Sequence, residues 1–301
     1  MTKAAGLGEP ARVALTVHLP NPTPTHAEPV VCFAKPGAGY SRGYFTVDLP
    51  GPAKGAQAEW HAARGWIFVS VDHLGVGESS QHAPEKLDFS TVAAASHAAE
   101  QEVLRRLAKG SLAPGFPAVR NPVRIGIGQS MGGCLTVVQQ GRYHGYDGIA
   151  VLGYGAVRTD LPARPGMPPL VLPWLVRDPL LGEPLAVLNT AALAEASTEP
   201  LAKFGSTIAW ALHYDDIDPA IVERDLARYD AGLATGAAQH NRDAPPWASL
   251  TLPGTVAQAC ITPGTIAPDA AAVRVAGGDG RARRDPRPAR RAARLPLRPL
   301  G

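Results

Sequence analysis

The stretch Val123-Arg124-Ile125-Gly126-Ile127-Gly128-Gln129-Ser130-Met131-Gly132-Gly133 decides the fold. Val123 to Ile127 is a short β-branched run and reads as a strand, whereas Met131 to Gln140 reads as a helix that follows after a tight turn. Between them Gly128-Gln129-Ser130-Met131-Gly132 has the form G-x-S-x-G. In this form a serine occupies a strained turn between strand and helix. The flanking glycines let the chains pass without a Cβ clash, and the serine Oγ projects above the sheet at the positive end of the helix dipole. The pentapeptide alone is weak in a glycine-rich chain, and its weight comes from the strand before it and the helix after it. The competing reading is a glycine-rich turn with an ordinary serine.

Working outward, the same rhythm continues on both sides. Arg12 to Leu19 alternates apolar and polar residues and reads as a strand. Val30 to Ala34 and Ile67 to Val71 are continuous apolar runs expected of buried strands, the first broken by Lys35-Pro36-Gly37-Ala38-Gly39. Gln57 to Arg64 reads as a helix with Gly65 at its end. Ser90 to Lys109 has helical spacing, with Ser90 or Thr91 as the cap and Gly110 as the stop. Gly148 to Leu152 is the next strand. The expected class is α/β, a mostly parallel central sheet with helices on both faces. Residues 157–268 are rich in Pro, Ala and Leu and show no clear strand, so they are expected to form a mainly helical cap or lid insertion. Ala271 to Ala276 reads as one more strand. The core is then 1–156 plus 269–278.

With 45% hydrophobic and 18% charged residues over 301 positions, the chain has enough apolar content for a sizeable core, and this excludes a mostly disordered protein. Cys32, Cys134 and Cys260 are far apart and form no CxxC pair, which speaks against a zinc site or a disulfide framework. The net charge of +3 hides an asymmetry: Arg281 to Gly301 holds eight Arg and one Asp, so the rest of the chain is mildly acidic. No nucleic-acid partner is expected for the body of the protein. No membrane span and no signal peptide are visible, which makes the cytoplasm the expected location. Gly37-Ala38-Gly39 lacks the Lys-Ser/Thr of a phosphate-binding loop, and no cofactor is expected.

At this point the chain resembles the α/β-hydrolase family. Beyond the G-x-S-x-G motif, Val30 to Gly39 is similar to the family's third strand and oxyanion-hole loop. Ile67 to Ser79 is similar to the fourth strand and its D-x-x-G-x-G-x-S continuation, here Asp72, Gly75, Gly77 and Ser79. Gly148 to Gly153 looks like the sixth strand. The resemblance implies a serine hydrolase of the esterase type. Ser130 would be the nucleophile, and the backbone N–H groups of Met131 and Ala38 would form the oxyanion hole. Asp72 and His73 are adjacent on a strand end and point to opposite faces, so they cannot relay a proton to one another. Asp72 is expected to fix its turn by hydrogen bonds.

The resemblance stops short at the base. The family order is Ser, then Asp or Glu, then His. After Ser130 the chain has only His144, His213 and His240. His144 follows the elbow helix and points away from the site. Asp279 is the candidate acid, and no histidine follows it. Two explanations stand. One takes the base from the insertion, His213 or His240. The other takes the Arg/Pro/Ala/Gly composition of 279–301 as that of a GC-rich gene read out of frame, with the last strand and helix missing and the tail disordered.

The segment Met167 to Val176 fits either an acyl pocket or the core of a lid. His213-Tyr214-Asp215-Asp216-Ile217-Asp218 fits a helix start before Pro219 better than a metal site, and no metal is expected. The expected function is hydrolysis of a small, apolar carboxylic ester or related acyl substrate. The alternative is a catalytically defective or non-catalytic α/β-hydrolase-like protein, and a third option is a binding module that acts through its basic tail.

Overall fold

The computed structural model describes residues 6–20, 28–48, 55–156, 159–161, 170–172, 217–223, 247, 249 and 251–274. The elements in chain order are β1 (Leu15–His18), β2 (Val30–Lys35), α1 (Gln57–Ala62), β3 (Trp66–Val71), α2 (Phe89–Ala108), β4 (Val123–Gln129), α3 (Met131–Tyr143) and β5 (Gly148–Leu152). They continue with β6 (Thr159–Leu161), β7 (Leu170–Leu172), α4 (Gly254–Cys260) and α5 (Ala267–Ala272). The main sheet runs in the order β1-β3-β2-β4-β5. Only β1 is antiparallel, pairing Leu15 with Val71 and His18 with Phe68. The other pairs are parallel.

Period-two alternation divides β2 between two layers. Val31 and Phe33 face α2, in a cluster with Val69, Val103 and Leu107. Cys32 and Ala34 face the other side, against Phe45, Ala58 of α1 and Phe68. A central strand buried on both faces reads as an unbroken apolar run for this reason. A third cluster joins α2, α3 and α4 through Val92, Leu135, Val138 and Val256.

Lys35 departs from its reading as part of a strand-breaking loop. It is the last residue of β2 and is fully buried. It lies on the same face as Val31 and Phe33, so its side chain enters the layer between sheet and helices. There Lys35 Nζ donates to Glu100 Oε1 of α2 and to the Tyr146 hydroxyl, both at 2.6 Å. Gln139 Nε2 of α3 donates to Glu100 Oε2 at 2.6 Å and to Tyr146 at 2.7 Å. Burial and the Glu100 carboxylate push the Tyr146 hydroxyl well above its ordinary pKa, so it stays protonated and donates to Glu100.

Three other expectations are corrected. α2 begins at Phe89, and its cap is Asp88, not Ser90 or Thr91: the Asp88 carboxylate accepts from Thr91 N–H at 2.7 Å. Gly110 does end it, at φ +65°. The strand expected at Ala271–Ala276 is not formed, because α5 occupies Ala267–Ala272. Pro268 in its first turn, the adjacent Asp269 carboxylate and the following alanines all suit a helix start. Residues 157–268, read as strand-free, contain the antiparallel pair β6–β7. Within the same range Val256, Cys260 and Ile266 are buried in the α2–α3 cluster. Asp269 forms a two-pronged ion pair with Arg142 of α3. His213, His240, Asp279 and the tail 279–301 lie outside the described residues.

Removing one member of the buried ion pair leaves the other charge without compensation. Lys35→Met is expected to cost about 3–5 kcal/mol in urea unfolding. Adding Glu100→Leu should recover part of that loss, giving strong non-additivity in the double-mutant cycle.

Candidate active site

The chain leaves β2, crosses to β3 on one side, then returns over β2 to β4 on the other. The connections that leave the carboxyl ends of β2 and β4 therefore diverge at the point where strand order reverses, the place where open α/β sheets bind ligands. β2 delivers Lys35-Pro36-Gly37 to that point, and β4 delivers Gln129-Ser130.

Ser130 has φ +49° and ψ −117°. A non-glycine residue there is strained by about 1–3 kcal/mol and persists only where its surroundings hold it. Both of its backbone polar groups are held. Its N–H donates to Leu152 O at 2.8 Å, and its carbonyl accepts from Gly133 N–H at 2.8 Å and Cys134 N–H at 3.1 Å. A serine at a helix N-cap ordinarily turns its hydroxyl back onto the first-turn amides. Ser130 makes no such bond. The strained backbone thus keeps the hydroxyl out of the capping role.

Three close approaches fix the surroundings. A Cβ on Gly128 would stand 2.2 Å from Gly132 O. One on Gly132 would stand 2.2 Å from Lys35 O and 2.6 Å from Pro36 O. One on Gly37 would meet Gln129 Oε1 at 2.2 Å and Ser130 Cβ at 3.2 Å. The loop after β2 is pressed against the serine, and α3 starts within backbone contact of β2. Met131 is buried at the first position of α3 and Ala38 is exposed. Neither backbone N–H has a backbone acceptor among the described residues.

Asp72 is fully buried and does what its turn requires. Its carboxylate accepts from the Arg42 backbone N–H, the Arg42 guanidinium and Glu78 N–H, while its carbonyl accepts from Ser79 Oγ at 2.9 Å. Gly77 is required beside it, since a Cβ there would meet Asp72 Oδ2 at 2.4 Å. His73 turns the other way, as expected of its neighbour. Its Nε2 lies 2.9 Å from Pro36 O. A carbonyl only accepts, so Nε2 carries the hydrogen and Nδ1 is bare, buried and without a partner. Burial pushes the His73 pKa down to about 4, against the Pro36 bond, which raises it. His73 is thus a neutral donor that grips the loop beside Ser130.

No histidine among the described residues hydrogen-bonds Ser130. His144 caps the far end of α3 in a left-handed conformation. A helix of 13 residues separates it from Ser130 by roughly 20 Å. The described residues contain no group of three His, Cys, Asp or Glu able to hold a metal ion. Asp218, within the acidic stretch read as a helix start, accepts from Ala220 N–H at 2.9 Å as a cap does.

The sequence reading missed one part of the site. Trp247 O accepts from Ser41 N–H and Ser249 N–H donates to Gly39 O, both at 2.9 Å. Ser249 Oγ also accepts from Gly77 N–H at 3.1 Å. Trp247 and Ser249 thereby bind the loop after β2 to the loop after β3. Tyr40 packs on Tyr44 and Trp247, with ring centroids 5.0 and 5.8 Å apart, and gives the loop an aromatic wall. These contacts span about 200 residues of sequence, and no local spacing announces them.

No family model matches the sequence, and no curated protein matches it. Solved structures do. An enol-lactonase from Burkholderia xenovorans is 14% identical, with a TM-score of 0.46 over 91% of this chain and 77% of its own. An esterase from Exiguobacterium antarcticum is 13% identical, with a TM-score of 0.39 over 82% of this chain and 68% of its own. A probable hydrolytic enzyme from Pseudomonas aeruginosa is 18% identical, with a TM-score of 0.31 over 48% of this chain. The match spans only 37% of the length of that last protein. The strand order of the main sheet, its antiparallel edge strand β1 and the serine at the strand–helix turn make this an α/β-hydrolase fold.

Two tests follow from the geometry. Gly132→Ala puts a methyl into the backbone of β2 and is expected to cost about 3 kcal/mol or more. Gly254→Ala, whose Cβ enters open space, should leave the melting temperature unchanged or higher. The second test is the pH dependence of stability. Below pH 6.5 the unfolded chain protonates its histidines, while folded His73 stays neutral to about pH 4. Stability should therefore fall as pH drops through that window, by up to about 3 kcal/mol from His73. His18, His61 and His97 are lowered by burial too and add to the slope. Replacing His73 with Gln should flatten the dependence measured by urea unfolding.

Proposed function

We propose that the protein is a serine hydrolase that acts on a small carboxylic ester or related acyl compound. One observation carries this reading: Ser130 has a strained backbone, its hydroxyl makes no capping bond, and its Cβ lies against the loop after β2. In the reaction Ser130 Oγ attacks the acyl carbonyl and gives its proton to a base. The oxyanion that forms accepts hydrogen bonds from Met131 N–H and Ala38 N–H. Collapse expels the alcohol, and water then releases the acid from the acyl-serine. Loss of one such oxyanion donor typically costs about 3–4 kcal/mol of barrier. Met131 N–H lies at the start of α3, and Ala38 lies on the loop held by His73, Trp247 and Ser249.

His213 and His240 are the candidates for the base, and Asp279 is the candidate acid. The insertion after β5 is the candidate cap, and its segment Met167 to Val176 fits either an acyl pocket or the core of that cap. Three free thiols suit a reducing compartment, the cytoplasm. A second reading, an α/β-hydrolase-like protein without catalysis, is favoured by the lack of any histidine against Ser130 among the described residues.

A fluorophosphonate probe separates the two. The hydrolase reading expects stoichiometric labelling of the purified chain, lost in Ser130→Ala and in one of His213→Ala or His240→Ala. A folded protein that takes no label establishes the non-catalytic reading instead.

A further inference from the structure

Gln129, the residue before Ser130, has no part in the reaction as outlined. It is the last residue of β4 and lies opposite Leu152 of β5. The alternation of the strand fixes the side on which it stands. Gly128 faces α3, where a Cβ would meet Gly132 O, while Ile127 packs on the other side with Cys32 and Phe68. Gln129 therefore leaves the sheet on the side of Ile127, away from the helix, and its amide reaches the loop after β2.

Its amide oxygen occupies the space that a side chain on Gly37 would need. A Cβ there would stand 2.2 Å from Gln129 Oε1 and 3.2 Å from its Cδ. Glycine carries a hydrogen in that direction, so the Gly37 Cα–H points at Oε1 in a weak C–H···O contact. Oε1 is buried and has no N–H or O–H partner among the described residues. A buried acceptor left in this state costs about 1–3 kcal/mol. An apolar side chain of the same length would avoid that cost, so stability gives no reason for an amide here.

The carbonyls of this loop are already held. Pro36 O accepts from His73 Nε2 at 2.9 Å, Gly37 O from Tyr40 N–H at 3.3 Å, and Gly39 O from Ser249 N–H at 2.9 Å. These bonds fix the loop along its length. Its approach to Ser130 is limited at Gly37, where the same Cβ would stand 3.2 Å from Ser130 Cβ. The N–H of Ala38 belongs to the peptide that starts at the Gly37 carbonyl, so the seat of Gly37 also places that N–H. An oxygen makes a closer seat than a methyl group or a sulfur.

We propose that Gln129 is a positioning residue for the oxyanion: its amide oxygen seats Gly37 and thereby sets the Ala38 N–H relative to Ser130 Oγ. This role rests on the hydrolase reading. Gln129 touches no reacting atom and acts through Gly37 alone.

The test uses the full chain and two esters that differ in the atom that takes the negative charge. These are p-nitrophenyl acetate and O-p-nitrophenyl thionoacetate, in which sulfur replaces the carbonyl oxygen. Sulfur is larger and a weak hydrogen-bond acceptor, so a well-placed donor favours the oxygen ester. In Gln129→Ala and in Gln129→Met, kcat on the oxygen ester should fall about tenfold, a fraction of what complete loss of a donor costs, with KM within about twofold. The oxygen-to-sulfur ratio of kcat/KM should fall with it. Gly37→Ala should also lower kcat in the natural sequence, and should cost much less once Gln129→Ala has removed the oxygen that its methyl meets. A general loosening of the fold lowers both esters alike, so turnover with an unchanged ratio overturns the proposal alone. A natural chain that turns over neither ester overturns it together with the hydrolase reading. Melting temperatures identify which variants keep the fold, and Gln129→Met carries the test if Gln129→Ala does not.

Discussion

The rest of the structure depends on the contact between the backbone of Gly132 and the carbonyls of Lys35 and Pro36. A side chain at residue 132 would collide with main chain on β2, so only glycine lets α3 cross there. That crossing brings the carboxyl ends of β2 and β4 together at the reversal of strand order. It presses the loop after β2 onto Ser130, and it leaves the helix to start with its N–H groups facing the cleft. The strain at Ser130 is a consequence. Leu152 O takes its N–H and the first turn of α3 takes its carbonyl, and these bonds hold the strained conformation in place.

Lys35 serves the same junction from both ends of the residue. Its carbonyl meets Gly132, while its ammonium is buried against Glu100 and Tyr146 between β2, α2 and α3. A charged pair in this position is no guarantee of stability, since well-packed apolar residues often do as well. Its value lies in specificity. Lys35, Glu100, Gln139 and Tyr146 hydrogen-bond one another in a single arrangement, and a slip of either helix breaks several bonds at once. On the opposite side Asp72 organises the loop after β3 through Arg42, Glu78 and Ser79. His73 extends the hold to Pro36, so the two loops that flank Ser130 are fixed by neighbouring residues of one turn.

The elements that were legible in the sequence share a cause. β2, β3 and β4 are buried on both faces or nearly so, and α2 is amphipathic, so each leaves a local pattern. G-x-S-x-G was legible because its glycines answer steric demands within five residues. Ala271–Ala276 was misread because a short alanine–valine run suits a strand or a helix, and only the packing of α5 on α3 chose between them. Lys35 was read as a breaker because a charge beside Pro-Gly ordinarily lies in a loop. Its acceptors, Glu100 and Tyr146, are 65 and 111 residues away.

The sequence by itself determined the class of fold, the strand–helix turn and the serine upon it, because those rest on interactions between residues close along the chain. Only the tertiary structure decided what stands around that serine: the grip of His73 on Pro36 and the brace from Trp247 and Ser249. Each of these joins groups far apart in sequence, and such contacts leave no period in the chain. They arise when burial of the apolar faces brings distant segments together and most of the polar groups thus enclosed find partners there.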